Sequence, residues 1–137
     1  YRKALSPKSK ASYVKETLRA LIKEQTNAFK DKYFEENQDS KGYVVCPETG
    51  LKIKKKDSHI DHYPKQFDEI VKDWAESRNL KSKDIILVQP PENSTFWPLE
   101  DKSLEKDFKE YHQKEATYRI VLNKVNLQRG RSKRFDF

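Results

Sequence analysis

Two of the three histidines in the chain lie beside a carboxylate, in the tetrapeptide His59-Ile60-Asp61-His62. A neutral imidazole can take a proton from water, and a carboxylate can hold a hard cation such as Mg²⁺. Hydrolysis of a phosphodiester bond needs a base that activates water and a cation that neutralises the charge on the phosphate. The tetrapeptide therefore indicates a metal centre or an acid–base centre. Its alternative interpretation is a surface salt bridge or a turn.

The tetrapeptide is preceded in the chain by Cys46-Pro-Glu-Thr-Gly50. This sequence, followed by Ile60-Asp61-His62, is similar to the hairpin and Asp-His pair of HNH endonucleases, also called ββα-metal or His-Me finger nucleases. Phage recombination endonucleases are the nearest in pattern. The later sequence Arg119-Ile-Val-Leu-Asn-Lys-Val-Asn-Leu-Gln-Arg-Gly130 resembles the family's arginine, apolar residues, paired cysteines, asparagine and glycine. The resemblance covers about a third of the chain.

The resemblance implies a role for each matching residue. In the family the aspartate binds the metal, the adjacent histidine is the general base, and a helical asparagine completes the metal site or steadies the histidine. This assigns metal binding to Asp61 and Asn126 and the base to His62, with Asn123, one helical turn earlier, as the alternative asparagine. The implied function is a metal-dependent endonuclease that uses a single Mg²⁺ or Mn²⁺ ion.

The chain departs from the zinc-binding members of this family, which carry two Cys-x-x-Cys knuckles. Cys46 is the only cysteine, Thr49 stands at the second knuckle position, and asparagines stand near the later pair. We therefore expect no structural zinc and no intrachain disulfide. Cys46 is interpreted as a small buried hydrophobic residue, and the single cysteine favours an intracellular location, in the cytoplasm, nucleoid or nucleus.

The remaining candidate residues have structural interpretations beside the chemical ones. His59 could bind a metal or a phosphate, but a solvated histidine or one paired with a carboxylate is favoured. His112 fits packing at the edge of the core better than metal binding, because a continuous helix would place it about 21 Å from Asn126. The pair Phe96-Trp97 could stack on a base, but packing onto the domain is more common for a loop tryptophan.

The charge balance favours a polyanionic partner. Twenty-nine Lys and Arg against 22 Asp and Glu give a net charge of +7. Neutralising a phosphate releases condensed counterions, so DNA is the predicted partner, and RNA is also possible. The alternative interpretation of the consecutive lysines is that they keep an edge strand soluble. The predicted phosphate contacts are Lys54, Lys55, Lys56, Arg129, Arg131, Lys133 and Arg134.

Two other functional classes remain open on the sequence. The chain could be a basic nucleic-acid-binding module of a larger protein without hydrolytic activity, or a structural domain in which the charge only maintains solubility. No apolar run approaches the ~20 residues that span a bilayer, so no membrane partner is predicted. The sequence is compatible with DNA or RNA as the partner and with any oligomeric state.

Hydrophobic spacing predicts an α+β fold in one nuclease domain over 10–130, preceded by a basic arm or linker at 1–9 and followed by a basic tail at 131–137. Gly50 is expected to have a positive φ in a tight turn between two strands. The predicted elements are a long helix over 12–34, strands over 43–46 and 51–53, an extended segment over 58–62, a helix over 65–79, a buried strand over 84–88, a loop over 89–100 and a helix from 102 to about 127.

Overall fold

The computed structural model describes residues 10–94, 96–124 and 137. Helices and small antiparallel sheets form an α+β fold, as predicted. Within these ranges, no helix combines the length and apolar character that crossing a membrane requires. The elements are α1 (Lys10–Leu21), α2 (Lys23–Asn37), β1 (Tyr43–Val45), β2 (Lys52–Lys54), β3 (Ser58–His62), α3 (Phe67–Ser77), α4 (Lys102–Glu115) and β4 (Tyr118–Leu122).

The chain divides into two compact units, each built from separate stretches of sequence. The helical unit contains α1, α3 and α4, and its described residues are 10–23, 67–94, 96–115 and 137. The strand unit contains α2 and all four strands, and its described residues are 24–66 and 116–124. The predicted nuclease-domain boundaries of 10 and 130 stay a prediction.

The helical unit is organised around Trp74, whose side chain is fully buried. Its ring packs edge-on against Phe108, with the ring centroids 4.9 Å apart. The indole Nε1 donates to Asp107 Oδ2 at 2.9 Å, so the one polar atom of the ring has a partner. Around this pair lie further buried apolar side chains, among them Val14, Leu18, Ile22, Phe67, Val71, Ile85 and Leu99.

The strand unit holds two antiparallel pairs, β1 with β2 and β3 with β4. The predicted tight turn between β1 and β2 is confirmed, and Gly50 has a φ of +74°. The β3–β4 pair joins segments that residues 63–117 separate in the chain. The core of this unit contains Phe34, Val44, Cys46, Ile53, Ile120 and Val121.

The predicted single helix over 12–34 is wrong, because a turn at Ile22 divides it into α1 and α2. The buried positions Val14, Leu18 and Ile22 repeat every four residues, and Phe29 continues the stripe in phase. Neither glycine nor proline marks the break. The side chains before the turn enter the core of the helical unit, whereas Phe29 packs in the strand unit, and periodicity alone cannot show this change of partner.

The predicted strand over 84–88 is also wrong. Ile85 is buried, but Ile86 is 56% exposed, and Leu87 forms only an isolated bridge with Leu99. Two backbone hydrogen bonds link this run to 98–100, through the N–H of Val88 and the carbonyl oxygen of Ile86. Pro98 has no N–H and cannot extend the ladder. An apolar run without a regular partner therefore stays irregular.

The predicted helix from 102 to about 127 ends early, at Glu115, and the chain continues as β4. The sequence Tyr118-Arg-Ile-Val-Leu122 is rich in aromatic and β-branched residues, which fit a pleated surface. Tyr118 and Leu122 are four residues apart, a spacing that also satisfies a helical stripe. Pairing with β3 decides the conformation, since the segment gains a ladder of backbone hydrogen bonds. By contrast, α3 confirms the predicted helix within two residues at each end.

His112 is fully buried in the helical unit, between the rings of Phe67 and Phe108. Burial, with the Arg19 charge nearby, lowers the pKa of His112 from 6.5 to about 4. The unfolded chain therefore takes up this proton at a higher pH than the folded chain. The contribution to stability is complete above about pH 6.5 and is lost as the pH falls towards 4.

We expect the free energy of unfolding to fall by up to about 3 kcal/mol from this group between pH 6.5 and 4. Urea unfolding followed by tryptophan fluorescence measures it, because Trp74 and Trp97 both lie in the helical unit. His112→Gln keeps a polar side chain without this titration, so its stability should decline less over the same range. An equally steep decline in the variant would contradict the assignment.

Candidate active site

The β3–β4 ladder positions the predicted chemical residues. Asp61 pairs with Arg119 and His62 with Tyr118 across the ladder. Side chains alternate between the two faces of a strand, and directly paired residues share a face. His59 and Asp61 therefore share one face of β3, and His62 lies on the opposite face. Asp61 and His62 therefore lie on one strand, but their side chains face opposite ways.

Asp61 is held by Arg119. The guanidinium Nε donates to Asp61 Oδ2 at 2.8 Å, and its Nη2 donates to Glu48 Oε1 at 2.8 Å. The Arg119 and Asp61 side chains are only 17% and 13% exposed. Burial acts to lower the pKa of Arg119, but the hydrogen bonds and charges of the two carboxylates outweigh it, so the pKa is raised. Arg119 thus fastens the β3–β4 pair to the turn after β1.

The Arg119 guanidinium carbon also lies 4.0 Å from the centroid of the Tyr63 ring. A cation over an aromatic face is attracted by the ring, and the planar guanidinium suits this position. Tyr63 follows β3 directly, and its N–H donates to the carbonyl oxygen of Thr117 at 3.0 Å. The arginine is therefore oriented from three directions. We call Arg119 with Asp61, Glu48 and Tyr63 the arginine clamp.

His62 is 7% exposed and faces Tyr118, with the two rings edge to face and their centroids 5.1 Å apart. Tyr118 in turn packs on Phe29 of α2 at 4.9 Å between centroids. Burial raises the pKa of Tyr118 to about 12, so its phenol is neutral over the physiological range. His62 therefore lies among aromatic rings on the face that α2 covers.

Asn123 follows β4 directly and has helical backbone conformation. With its amide nitrogen turned towards the surrounding acceptors, it donates to the carbonyl oxygen of Asp57 at 3.1 Å and to His59 Nε2 at 3.2 Å. In this contact His59 Nε2 is the acceptor. Of the two candidate asparagines, Asn123 is thus placed against β3, two residues from Asp61. Asn126 lies outside the described residues.

The turn that resembles a zinc knuckle is closed by hydrogen bonds to sulfur. Cys46 is fully buried, and its Sγ accepts the N–H of Leu122 at 3.4 Å. Burial acts to raise the pKa of Cys46, but hydrogen bonds from the Thr49 side chain and nearby backbone N–H groups lower it below its usual value. Thr49, at the position of the second knuckle cysteine, therefore contacts the first. The interpretation of Cys46 as a buried residue is confirmed.

The three consecutive lysines after β2 have different surroundings. The Lys55 ammonium forms an ion pair with Asp31. Lys54 Nζ lies 5.3 Å from the centroid of the Tyr43 ring, and both Lys54 and Lys56 line an open cavity beside Asn123. The predicted contacts in the tail, Arg129, Arg131, Lys133 and Arg134, lie outside the described residues.

The donor groups on β3 suit a hard cation. Among the residues that the structure describes, no three of His, Cys, Asp and Glu converge as a ligand cluster. Mg²⁺ does not require one, because it is held by one or two carboxylates together with water and substrate phosphate oxygens. The Asp61 carboxylate and an amide such as that of Asn123 fit Mg²⁺ or Mn²⁺ in kind. The Asp61 carboxylate would then bind the ion and Arg119 at the same time.

The roles of Glu48, Tyr63 and Lys52 are not predicted by the sequence. Glu48 and Tyr63 contact Arg119 through the fold, and Lys52 lines the cavity beside Asn123. In the sequence, Arg119 stands out only as part of the family pattern. The one available signal was Glu48, a carboxylate inside the turn Cys46–Gly50, but its partner lies 71 residues away in sequence. Such pairings depend on which strands meet.

Comparisons with protein-family models, with curated proteins and with solved structures found no match.

We expect Arg119→Gln to lower the free energy of unfolding by about 2 to 3 kcal/mol, because Asp61 is left as a nearly buried charge without its main partner. Urea unfolding followed by circular dichroism measures the loss, and amide hydrogen exchange in β4 should accelerate. Lys32→Gln is the control, since it breaks an exposed ion pair with Glu36 and should change stability by less than about 0.5 kcal/mol. Equal losses in the two variants would refute the arginine clamp.

Proposed function

We propose that the strand unit belongs to a metal-dependent endonuclease of the HNH type, which hydrolyses phosphodiester bonds in nucleic acid, most readily DNA. The observation that carries this proposal is the position of the candidate residues on one antiparallel strand pair. Asp61 and His62 lie on β3, and Asn123 begins two residues of helical backbone, 123–124, directly after β4. The name ββα-metal describes two strands and a helix, and here the two strands are neighbours in space although α3 and α4 lie between them in the chain.

Asp61 would hold the cation, with Asn126 or Asn123 as the amide ligand. A bound Mg²⁺ or Mn²⁺ supplies positive charge at the phosphate and at the leaving oxygen. Arg119 fixes the direction of the Asp61 carboxylate, because Asp61 Oδ2 accepts its Nε–H. Orientation by a neighbouring donor is how ligating carboxylates are commonly held.

The base must be a neutral histidine whose lone pair is available to water. His59 shares the face of Asp61, but its Nε2 accepts the Asn123 amide. His62 lies on the opposite face of β3 and is the base that the family pattern implies. His62 is therefore the proposed base, and His59 with Asn123 forms a support for the start of β3.

One observation favours a second candidate function. The contact between Arg119 and Asp61 is short and nearly buried, which is also how a structural ion pair looks. In that case the strand unit would bind nucleic acid through its lysines without hydrolysis. Nicking of supercoiled plasmid DNA in Mg²⁺ or Mn²⁺, with EDTA as the blank, separates the two functions. A parent protein that binds DNA and never nicks it would leave only the binding module.

We expect His62→Ala and Asp61→Asn each to lower the nicking rate by about 100-fold or more, because each removes a group that acts in the chemical step. Gel-shift affinity for the same DNA in EDTA should stay close to that of the parent. Glu48→Gln is the matched control for Asp61→Asn, since it removes the other carboxylate of the arginine clamp and should keep nicking activity.

His59→Ala is the matched control for His62→Ala, since it removes the other imidazole of β3. It should lower the rate less than His62→Ala does. The reverse result, with activity lost in His59→Ala and kept in His62→Ala, would transfer the role of base to His59. Activity retained in both Asp61→Asn and His62→Ala would contradict the proposed mechanism.

A further inference from the structure

An open cavity of about 590 Å³ lies within the strand unit. Its volume is in the range of small-molecule pockets. The ammonium-bearing side chains around it are Lys52, Lys54, Lys56 and Lys124, and among the described residues Asp57 is the one carboxylate in the lining. Lys52 also pairs with Asp39, with 3.4 Å between Nζ and Oδ2. The lining nevertheless keeps a net positive charge, from Lys54, Lys56 and Lys124.

These lysines come from two segments that are distant in sequence. Lys52 and Lys54 flank buried Ile53, so strand alternation turns both to the exposed face of β2. Lys124, two residues after the end of β4, also lines the cavity. Like charges gathered around a concave surface repel one another, and a bound anion relieves the repulsion. Lysines that only keep a surface soluble do not need to gather around one cavity.

The cavity also offers an aromatic ring and an amide. Tyr43 lines it from β1, half-buried, with Lys54 Nζ 5.3 Å from the ring centroid. Asn123 also lines it and contacts His59 of β3. An aromatic ring with basic groups around it is the combination that binds single-stranded nucleic acid, in which the base stacks and the phosphates meet the cations.

We propose that this cavity binds one nucleotide, with its phosphate among the lysines and its base against Tyr43. The inference rests on the proposed function for the identity of the ligand and deepens it, because Asn123 connects the cavity to β3. The nucleotide is either part of a nucleic-acid strand or free, and both sources present the same phosphate and base.

The first test measures binding of a fluorescently labelled short oligothymidylate by anisotropy, in EDTA and at several salt concentrations. If Lys54 and Lys56 each contact a phosphate, the double variant Lys54→Gln/Lys56→Gln lowers the slope of log affinity against log salt by about 1.4. The control Lys72→Gln/Lys106→Gln loses the same charge from exposed positions of the helical unit and should keep the parent slope. Equal changes in the two double variants would overturn the proposal.

The second test replaces the aromatic ring. Tyr43→Leu should weaken oligonucleotide binding by about fivefold or more, with an unchanged salt slope, because stacking is lost and no charge is removed. Tyr13→Leu in the helical unit is the control and should bind as the parent does. Circular dichroism checks that each variant is folded. Parent-like affinity in Tyr43→Leu would overturn the placement of the base.

Competition by thymidine monophosphate and by inorganic phosphate identifies the source of the nucleotide. Displacement by thymidine monophosphate, weakened in Tyr43→Leu, supports a cavity that accepts a free nucleotide. Displacement by neither competitor, with the oligonucleotide effects intact, supports a nucleotide bound as part of a strand. Equal displacement by both competitors, unaffected by Tyr43→Leu, would show an anion site without base recognition and would overturn the proposal.

Binding in EDTA and cleavage in Mg²⁺ separate this inference from the proposed function. A parent protein that never cleaves, with cavity variants that bind as expected here, would end the nuclease proposal and leave the nucleotide cavity. Cleavage by the parent, with cavity variants that bind like their controls, would end the cavity proposal and leave the nuclease.

Discussion

The candidate site depends on the pairing of β3 with β4. These strands are separated in the chain by residues 63–117, which include α3 and α4. Closing so long a connection costs conformational entropy, which the strand pair must offset through backbone hydrogen bonds and burial on both faces. Ile60 and Ile120 pack with Phe29 on one side, and Cys46 joins the ladder to the β1–β2 hairpin on the other. If this pairing failed, Asp61 would lose its contact with Arg119, and Asn123 would lose its contact with His59.

Strand alternation imposes the main constraint on the chemistry. Asp61 and His62 are neighbours in sequence, but an extended backbone sends their side chains to opposite faces. One side chain enters the arginine clamp, where charge is neutralised, and the other lies among the rings of Tyr118 and Phe29. A carboxylate and an imidazole beside each other in a sequence thus acquire different environments from the fold alone. In the proposed mechanism, the Asp61 carboxylate and the His62 imidazole both act on one phosphate near the end of β3.

The features that the sequence could predict are those whose signal is local. The turn at Gly50, the extended segment 58–62 and the helix around Trp74 each carry their own turn residues or periodicity, and all three are confirmed. The errors concern segments whose state depends on distant partners. The run at 118–122 satisfies a helical and a strand pattern equally, and only β3 decides between them. The contacts of Arg119 could not be predicted for the same reason, since neither Glu48 nor Asp61 lies near it in sequence.

The lysines of the strand unit show how position gives different roles to identical residues. Lys55 lies in the short 3-10 turn after β2 and pairs with Asp31, while Lys52 and Lys54 share the exposed face of that strand. In the sequence these lysines form a uniform block of charge. In the structure Lys55 pairs with Asp31, Lys52 pairs with Asp39 and also lines the cavity, and Lys54 and Lys56 line the cavity. Net charge alone favours any polyanion equally. A concave cluster beside an aromatic ring and next to Asn123 is more selective, because it can distinguish a ligand that carries both a base and a phosphate.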